Sequence, residues 1–234
     1  MEKLVKYLVL AIFGFIAQLI DGGIGMGYGV SLTTLLLSIG FTTSLASAST
    51  HISEVFTSLA SGISHFKLGN FDKKIFTYLV LGGVFGGFLG AYASVRLQNF
   101  TSIRPIISGM LLFFGFLIIF KFTKKKKSNY IIPRIRGLMP LGFFAAFIDA
   151  IGGGVWGPIT SPTLIATNSH PSKTIGSVNF AEFFIALTIS ITFFMTHESI
   201  DLGLIIPLII GGVIAAPIAA IITRKINHKV LGMI

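Results

Sequence analysis

The sequence predicts an all-α polytopic membrane protein made of two inverted-topology repeats, with glycine-broken helices at the repeat interface. Three observations predict it. Hydrophobic residues make up 53% of the 234-residue chain and charged ones 11%, where a soluble domain carries about 25% charge; the mean hydropathy is +0.88. Several apolar stretches approach the roughly 20 residues that a bilayer crossing needs. The chain also repeats itself. Adding 128 turns Asp21 into Asp149, Gly25 into Gly153, Tyr28 into Trp156, Gly29 into Gly157, Ser49 into Ser177 and Glu54 into Glu182. One inserted residue later, 129 relates Asp72 to Asp201, Gly83 to Gly212 and Arg96 to Lys225. Acids and glycines shared by two apolar halves point to a transporter with its site where the repeats meet.

Taken in order, the first half (1–122) holds apolar segments near 4–21, 24–39, 46–66, 75–95 and 105–122. The second (137–234) holds them near 137–150, 153–167, 175–195 and 203–222, with a fifth opening near Lys229. All are expected to be helices, because a bilayer core tolerates only backbone that satisfies itself. The opening stretch is read as mature structure and not as a signal peptide, since Asp21 and its glycines recur mid-chain at Asp149. Val230 to Ile234 resembles Ile107 to Leu111, the start of the first half's fifth helix, so the last helix is expected to be cut short here.

The net charge of +10 is a matter of topology before it is one of partners. Seven of the eighteen basic residues fall between Lys121 and Arg136, which makes 123–136 a basic cytoplasmic linker. The N-terminus is then outside, although Lys3, Lys6, Arg96 and Arg104 run against that assignment. The loop bearing Lys67, Lys73 and Lys74 is basic, while its repeat mate carries His197, Glu198 and Asp201, as inverted halves require. Anionic membrane lipids suit such loops; nucleic acid is not expected. The absence of cysteine removes disulfides and thiolate sites. The histidines show no ligand spacing, so neither a metal nor a cofactor is expected.

Two glycine clusters, Asp21 to Gly29 and Asp149 to Pro158, interrupt apolar stretches that are each short for a span. Glycine accepts non-helical backbone, and such backbone survives at membrane depth only inside protein or beside a wet cavity. The helices that follow would aim free amides at the centre, an anion site made of main chain. Gly25, Gly27, Gly153 and Gly154 are the candidate binding positions, with Tyr28 and Trp156 as walls or as packing. Gly82, Gly83, Gly86, Gly87 and Gly90 are read as helix-packing positions.

Of the eight acids, Asp21, Glu54, Asp149 and Glu182 lie in or beside apolar segments as two repeat-matched pairs. A charged carboxylate at mid-membrane costs about 3 kcal/mol even on the lenient scale, so four of them call for a purpose. Asp21 and Asp149 either cap the following helix or meet the substrate or a proton. Glu54 and Glu182 sit deeper, one turn after His51 and Asn179. They are candidate proton carriers, which His51 and Asn179 would orient unless these touch substrate; the plainer reading is an interhelical hydrogen bond. Hydroxyls that could donate to an oxyanion include Ser31, Thr33, Ser47, Ser49, Thr160, Ser161 and Ser177, though such groups often bond their own helix.

The two glycine breaks, with the stretches Ala46 to Val55 and Lys173 to Phe184, resemble the TauE/SafE sulfite exporter family, also called the 4-toluene sulfonate uptake permease family. The likeness covers nearly the whole chain. It implies a plasma-membrane transporter of small sulfur-containing anions such as sulfite or organosulfonates, without fixing the substrate. The halves are unequal where Pro158 is followed by Ile159-Thr160 but the first break runs on to Ser31-Leu32. The expected function is secondary transport of such an oxyanion, coupled to protons. No Gly-x-x-x-x-Gly-Lys-Ser/Thr motif is present to drive it with ATP. A passive anion or proton channel on the same fold is the alternative, and an intramembrane enzyme using Asp21 and Asp149 a remoter one. Oligomeric state is not legible.

Overall fold

The computed structural model describes residues 2–97, 135–167, 169–195 and 201–225, with a few helical positions between 105 and 116. Within them lie eight continuous helices and no strand. These are α1 (Glu2–Ile24), α2 (Tyr28–Ser38), α3 (Thr43–Lys67), α4 (Lys73–Leu97), α5 (Ile135–Gly152), α6 (Trp156–Ala166), α7 (Pro171–Met195) and α8 (Leu202–Lys225). The first four segments expected of each half are present. The basic linker, the last residues after Lys225 and most of segment 105–122 lie outside the described residues.

Among the described residues, four helices are long and apolar enough to cross a membrane: α1, α4, α7 and α8. Their outward faces are apolar. Leu4, Leu8, Ile12, Ile16 and Ile20 form an exposed i, i+4 stripe on α1, and Leu202, Ile206, Ile210, Ile214 and Ile218 form one on α8. Polar groups turn inward instead. The least apolar helix, α3, has 25 residues, about 37 Å of rise. It buries Ser47, Ser49, Thr50, His51, Ser53, Glu54, Thr57, Ser58, Ser61 and His65. It can be so polar because α2, α7 and α8 pack around it.

The pairing of helices crosses the halves. Helix α1 packs on α8, and α4 on α5; α3 packs on α7 at the centre. The 128–129 offset turns the first pair into the second and leaves the third unchanged, so the contacts have the pattern of two copies about one two-fold axis. The α3–α7 contact runs antiparallel, with Ser61 meeting Asn179 and His65 lying beside Gly176. An inverted repeat requires that direction.

Small residues let the long helices touch. A Cβ on Gly86 of α4 would strike the carbonyl of Phe143 in α5, whereas one on Gly137 would meet open space. Gly86→Val is therefore expected to cost about 2 kcal/mol by overpacking, and Gly137→Ala close to nothing. Thermal unfolding in detergent checks the difference.

Candidate functional site

The two glycine clusters end α1 and α5 in the same way. The Gly25 amide donates to the Asp21 carbonyl at 2.6 Å, and the Gly153 amide to the Asp149 carbonyl at 2.6 Å. Gly25 has φ +77 and Gly153 φ +71, in the left-handed region that stops a helix. Two short helices of 11 residues each, α2 and α6, start just beyond.

The breaks meet. Gly29 and Gly154 touch backbone to backbone, and a Cβ on Gly157 would lie 2.7 Å from the Gly25 carbonyl oxygen. Each break is clasped by a hydroxyl from the opposite half. Ser161 Oγ donates to the Gly25 carbonyl at 2.7 Å, and Thr33 Oγ1 donates to the Gly153 carbonyl. Thr33 and Ser161 are repeat mates, so one clasp is the image of the other. The carbonyls freed by ending a helix early thus find donors in the other repeat.

The acids converge on this junction. Asp149 Oδ1 accepts from the Trp156 amide at 2.9 Å, and Asp21 accepts from the Tyr28 amide. Both aspartates therefore cap the following short helix, and the first amide of α2 and of α6 is already occupied. Glu54 faces the meeting point: its Oε1 lies 2.6 Å from where a Gly29 Cβ would be. Glu182, on α7, is 6% exposed. All four carboxyls lie within electrostatic reach of one another.

His51 joins them from α3. Its Nδ1 is 2.7 Å from the Ser47 carbonyl, which can only accept, so Nδ1 is the donor. Its Nε2 lies 3.0 Å from Asp149 Oδ2 and 3.9 Å from Glu54 Oε2. A further proton is shared in the Nε2–Oδ2 contact. Asp149 thereby links the start of α6 to a helix of the other half. The mate of His51 behaves otherwise. Asn179 keeps the equivalent bond, Nδ2 donating to the Ile175 carbonyl at 3.1 Å, but its Oδ1 accepts from Ser61 Oγ at 2.8 Å.

Among the expected site residues, Gly25, Gly153, Gly154, Asp21, Asp149, His51 and Glu54 come together at the junction. Gly27 precedes α2 with φ +128. Tyr28 is buried, its hydroxyl donating to Ser53 Oγ at 3.1 Å. Ser49 is buried with its hydroxyl unpartnered among the described residues. Trp156 belongs to the apolar core with Leu79, Ile185 and Ile189, its indole N–H donating to the Val178 carbonyl at 3.2 Å. Ser177 is held at the α3–α4 turn, accepting from the Asp72 amide at 2.7 Å and donating to the Asp72 carbonyl at 3.1 Å. The sequence assigns no role to Gln18, buried with its amide nitrogen unpartnered among the described residues, or to Thr57, buried beside the Tyr28 hydroxyl. Among the described residues no cluster of three or more His, Cys, Asp and Glu is arranged to hold a metal ion, and no lysine or arginine is buried.

The family model for "Sulfite exporter TauE/SafE" matches residues 10–234. The chain is 39% identical over 236 residues to "Probable membrane transporter protein YtnM" of Bacillus subtilis (strain 168), covering 98% of this chain and 78% of that protein. It is also 31% identical over 128 residues to "Probable membrane transporter protein YdhB" of the same organism, covering 52% of this chain and 49% of that protein. No solved structure matches. A membrane bundle with polar groups gathered at paired helix breaks, and a family match across nearly its whole length, lead to one conclusion: the chain belongs to the TauE/SafE sulfite exporter family of membrane transporters.

Proposed function

We propose that the protein is a secondary transporter that exports a small sulfur-containing oxyanion, sulfite or an organosulfonate, across the plasma membrane together with protons. The observation that carries this reading is the convergence of three carboxyls (Asp21, Asp149 and Glu54) and one imidazole where the two breaks touch. An anion brought near these carboxyls is tolerated only when protons accompany it, because like charges at short range in a low-dielectric core repel strongly. Coupling is then built into the binding site. The class of anion rests on the family's description as sulfite exporters. Opposed short helices, clasped symmetrically across the halves, suit an alternating-access cycle in which one repeat rocks against the other. The linker 123–136 lies in the cytoplasm and the N-terminus outside. Asp21 and Asp149 serve as caps, with no catalytic work.

Purified protein in liposomes should accumulate sulfite in response to a pH gradient, with saturation and counterflow. Linear flux without counterflow would make it a channel, and no flux of any sulfur oxyanion would end the proposal. Glu54→Gln and Glu182→Gln test the proton carriers. At least one should lose about tenfold or more of pH-driven flux, as general proton-transfer groups do when removed. Undiminished pH-driven flux in both would show that the protons travel elsewhere.

A further inference from the structure

The two ends of the bundle carry the same parts in different states. Asp72 and Asp201 are repeat mates, and both cap the helix that follows. Asp72 Oδ1 accepts from the Lys74 amide at 2.9 Å, and Asp201 Oδ1 from the amide of Gly203, the mate of Lys74, also at 2.9 Å. The serines that belong to these aspartates differ. Ser177, near the start of α7, accepts from the Asp72 amide and donates to the Asp72 carbonyl, a two-point latch onto the α3–α4 turn. Its mate Ser49, near the start of α3, is buried with its hydroxyl unpartnered among the described residues. Asp201 is exposed, where Asp72 is half-buried. Buried polar groups are nearly always satisfied, so the idle Ser49 calls for an explanation.

The latched end is fastened further. Asn70, in the same turn, donates through Nδ2 to the Ala220 carbonyl of α8 at 3.3 Å and lies 3.3 Å from His65 Nδ1. His65 Nε2 donates to the Gly22 carbonyl of α1 at 2.9 Å. Thr223 Oγ1 donates to the Gly22 and Gly23 carbonyls at 3.0 and 2.9 Å. The Asn70 carbonyl packs directly on Gly176 of α7, leaving no room for a Cβ there. One turn thus ties α1, α3, α7 and α8 together. The His65 link has no polar counterpart at the other end, where its mate Phe193 is buried in the apolar core.

We infer that Ser177 with Asp72 and Ser49 with Asp201 are paired latches made in alternation, the first closed in the state described and the second in its exchanged counterpart. The inference rests on the alternating-access reading above. Rocking one repeat against the other exchanges the surroundings of repeat mates, so the contact made at one end becomes the contact made at the other. Packed interfaces hold discrete arrangements, and each latch is therefore made or broken. The two hydrogen bonds lost from Ser177 are regained by Ser49, which keeps the states close in free energy and the exchange reversible. The added ties of Asn70 and His65 weight the resting protein toward the state described.

The chain has no cysteine, so paired spin labels can be introduced without background. Double electron–electron resonance in liposomes between Lys67→Cys and Lys173→Cys reads the α3–α4 end, and between their mates Met195→Cys and Leu45→Cys the other. Ser177→Ala should shift population about tenfold, as two lost hydrogen bonds dictate, toward a state with a longer 67–173 and a shorter 45–195 distance. Adding Ser49→Ala should return the ratio toward the wild-type value, because both latches are then gone. Unchanged distances in Ser177→Ala, or both distances lengthening together, would overturn the inference. Asn70→Ala, which loosens the same end without touching either latch, should act in the same direction and decides if Ser177→Ala fails to fold. Sulfite uptake by the same liposomes separates the two readings. Exchanging distances without sulfite flux would end the substrate assignment and keep the latches, whereas saturable flux with unmoved distances would end the latches and keep the transporter.

Discussion

Alanine at Gly154 is expected to remove most of the folded protein. The residue has φ +116 and its α-carbon lies against the Gly29 backbone. An L side chain there takes on strain of about 1–3 kcal/mol. It also forces a methyl group into main chain that has no room to retreat, worth about 1–3 kcal/mol more. Together these should lower stability by about 2–6 kcal/mol. Gly40 separates the two contributions, because it has φ +98 but open space around it; Gly40→Ala should show the strain without the clash. Thermal unfolding of the two variants side by side gives the answer. Equal melting temperatures would mean that the two breaks do not press on each other as described.

The His51–Asp149 contact carries the second large effect. Removing one partner of a buried, hydrogen-bonded pair leaves the other without compensation, a loss of about 3 kcal/mol or more. Asparagine is the informative replacement, since Asn179 already shows that an amide at this place in the repeat can bond the carbonyl one turn back. His51→Asn should keep that bond and lose Asp149. Asp149→Asn keeps an oxygen for the Trp156 amide and changes what faces His51. In a double-mutant cycle the two should be strongly non-additive, by about 2 kcal/mol. Additive losses would show that the 3.0 Å contact contributes nothing to holding the halves together.

Much of this arrangement can be read from the sequence because the chain was written twice. A lone Asp-Gly-Gly in apolar text is ambiguous; its return at Asp149 with glycines and an aromatic at the same offset marks it as a break and not a loop. The capping role of the two aspartates was legible to the same degree, as one of two readings. Cross-half contacts were less so. Thr33 and Ser161 can be picked out as hydroxyls, but nothing in their neighbours says that each reaches a carbonyl of the other half. Ser177 illustrates the opposite difficulty. Its mate Ser49 is in the same buried helix register, yet Ser177 is taken by the Asp72 backbone, because the connection after α3 folds back over the start of α7. Gln18 and Thr57 gave no signal, since a single amide or hydroxyl in a spanning helix usually bonds nearby backbone. Only the packing of α1, α3 and α8 reveals that here they do not.

The crossed pairing of outer helices also bears on how the molecule is made. Helix α1 ends at Ile24 and its main partner, α8, begins at Leu202, so about 180 residues of synthesis separate them. At about 5–20 residues per second, the first helix waits some 10 to 40 seconds in the bilayer with its glycine-bearing seam facing lipid or a chaperone. The pairing of α1 therefore waits until α8 has been inserted.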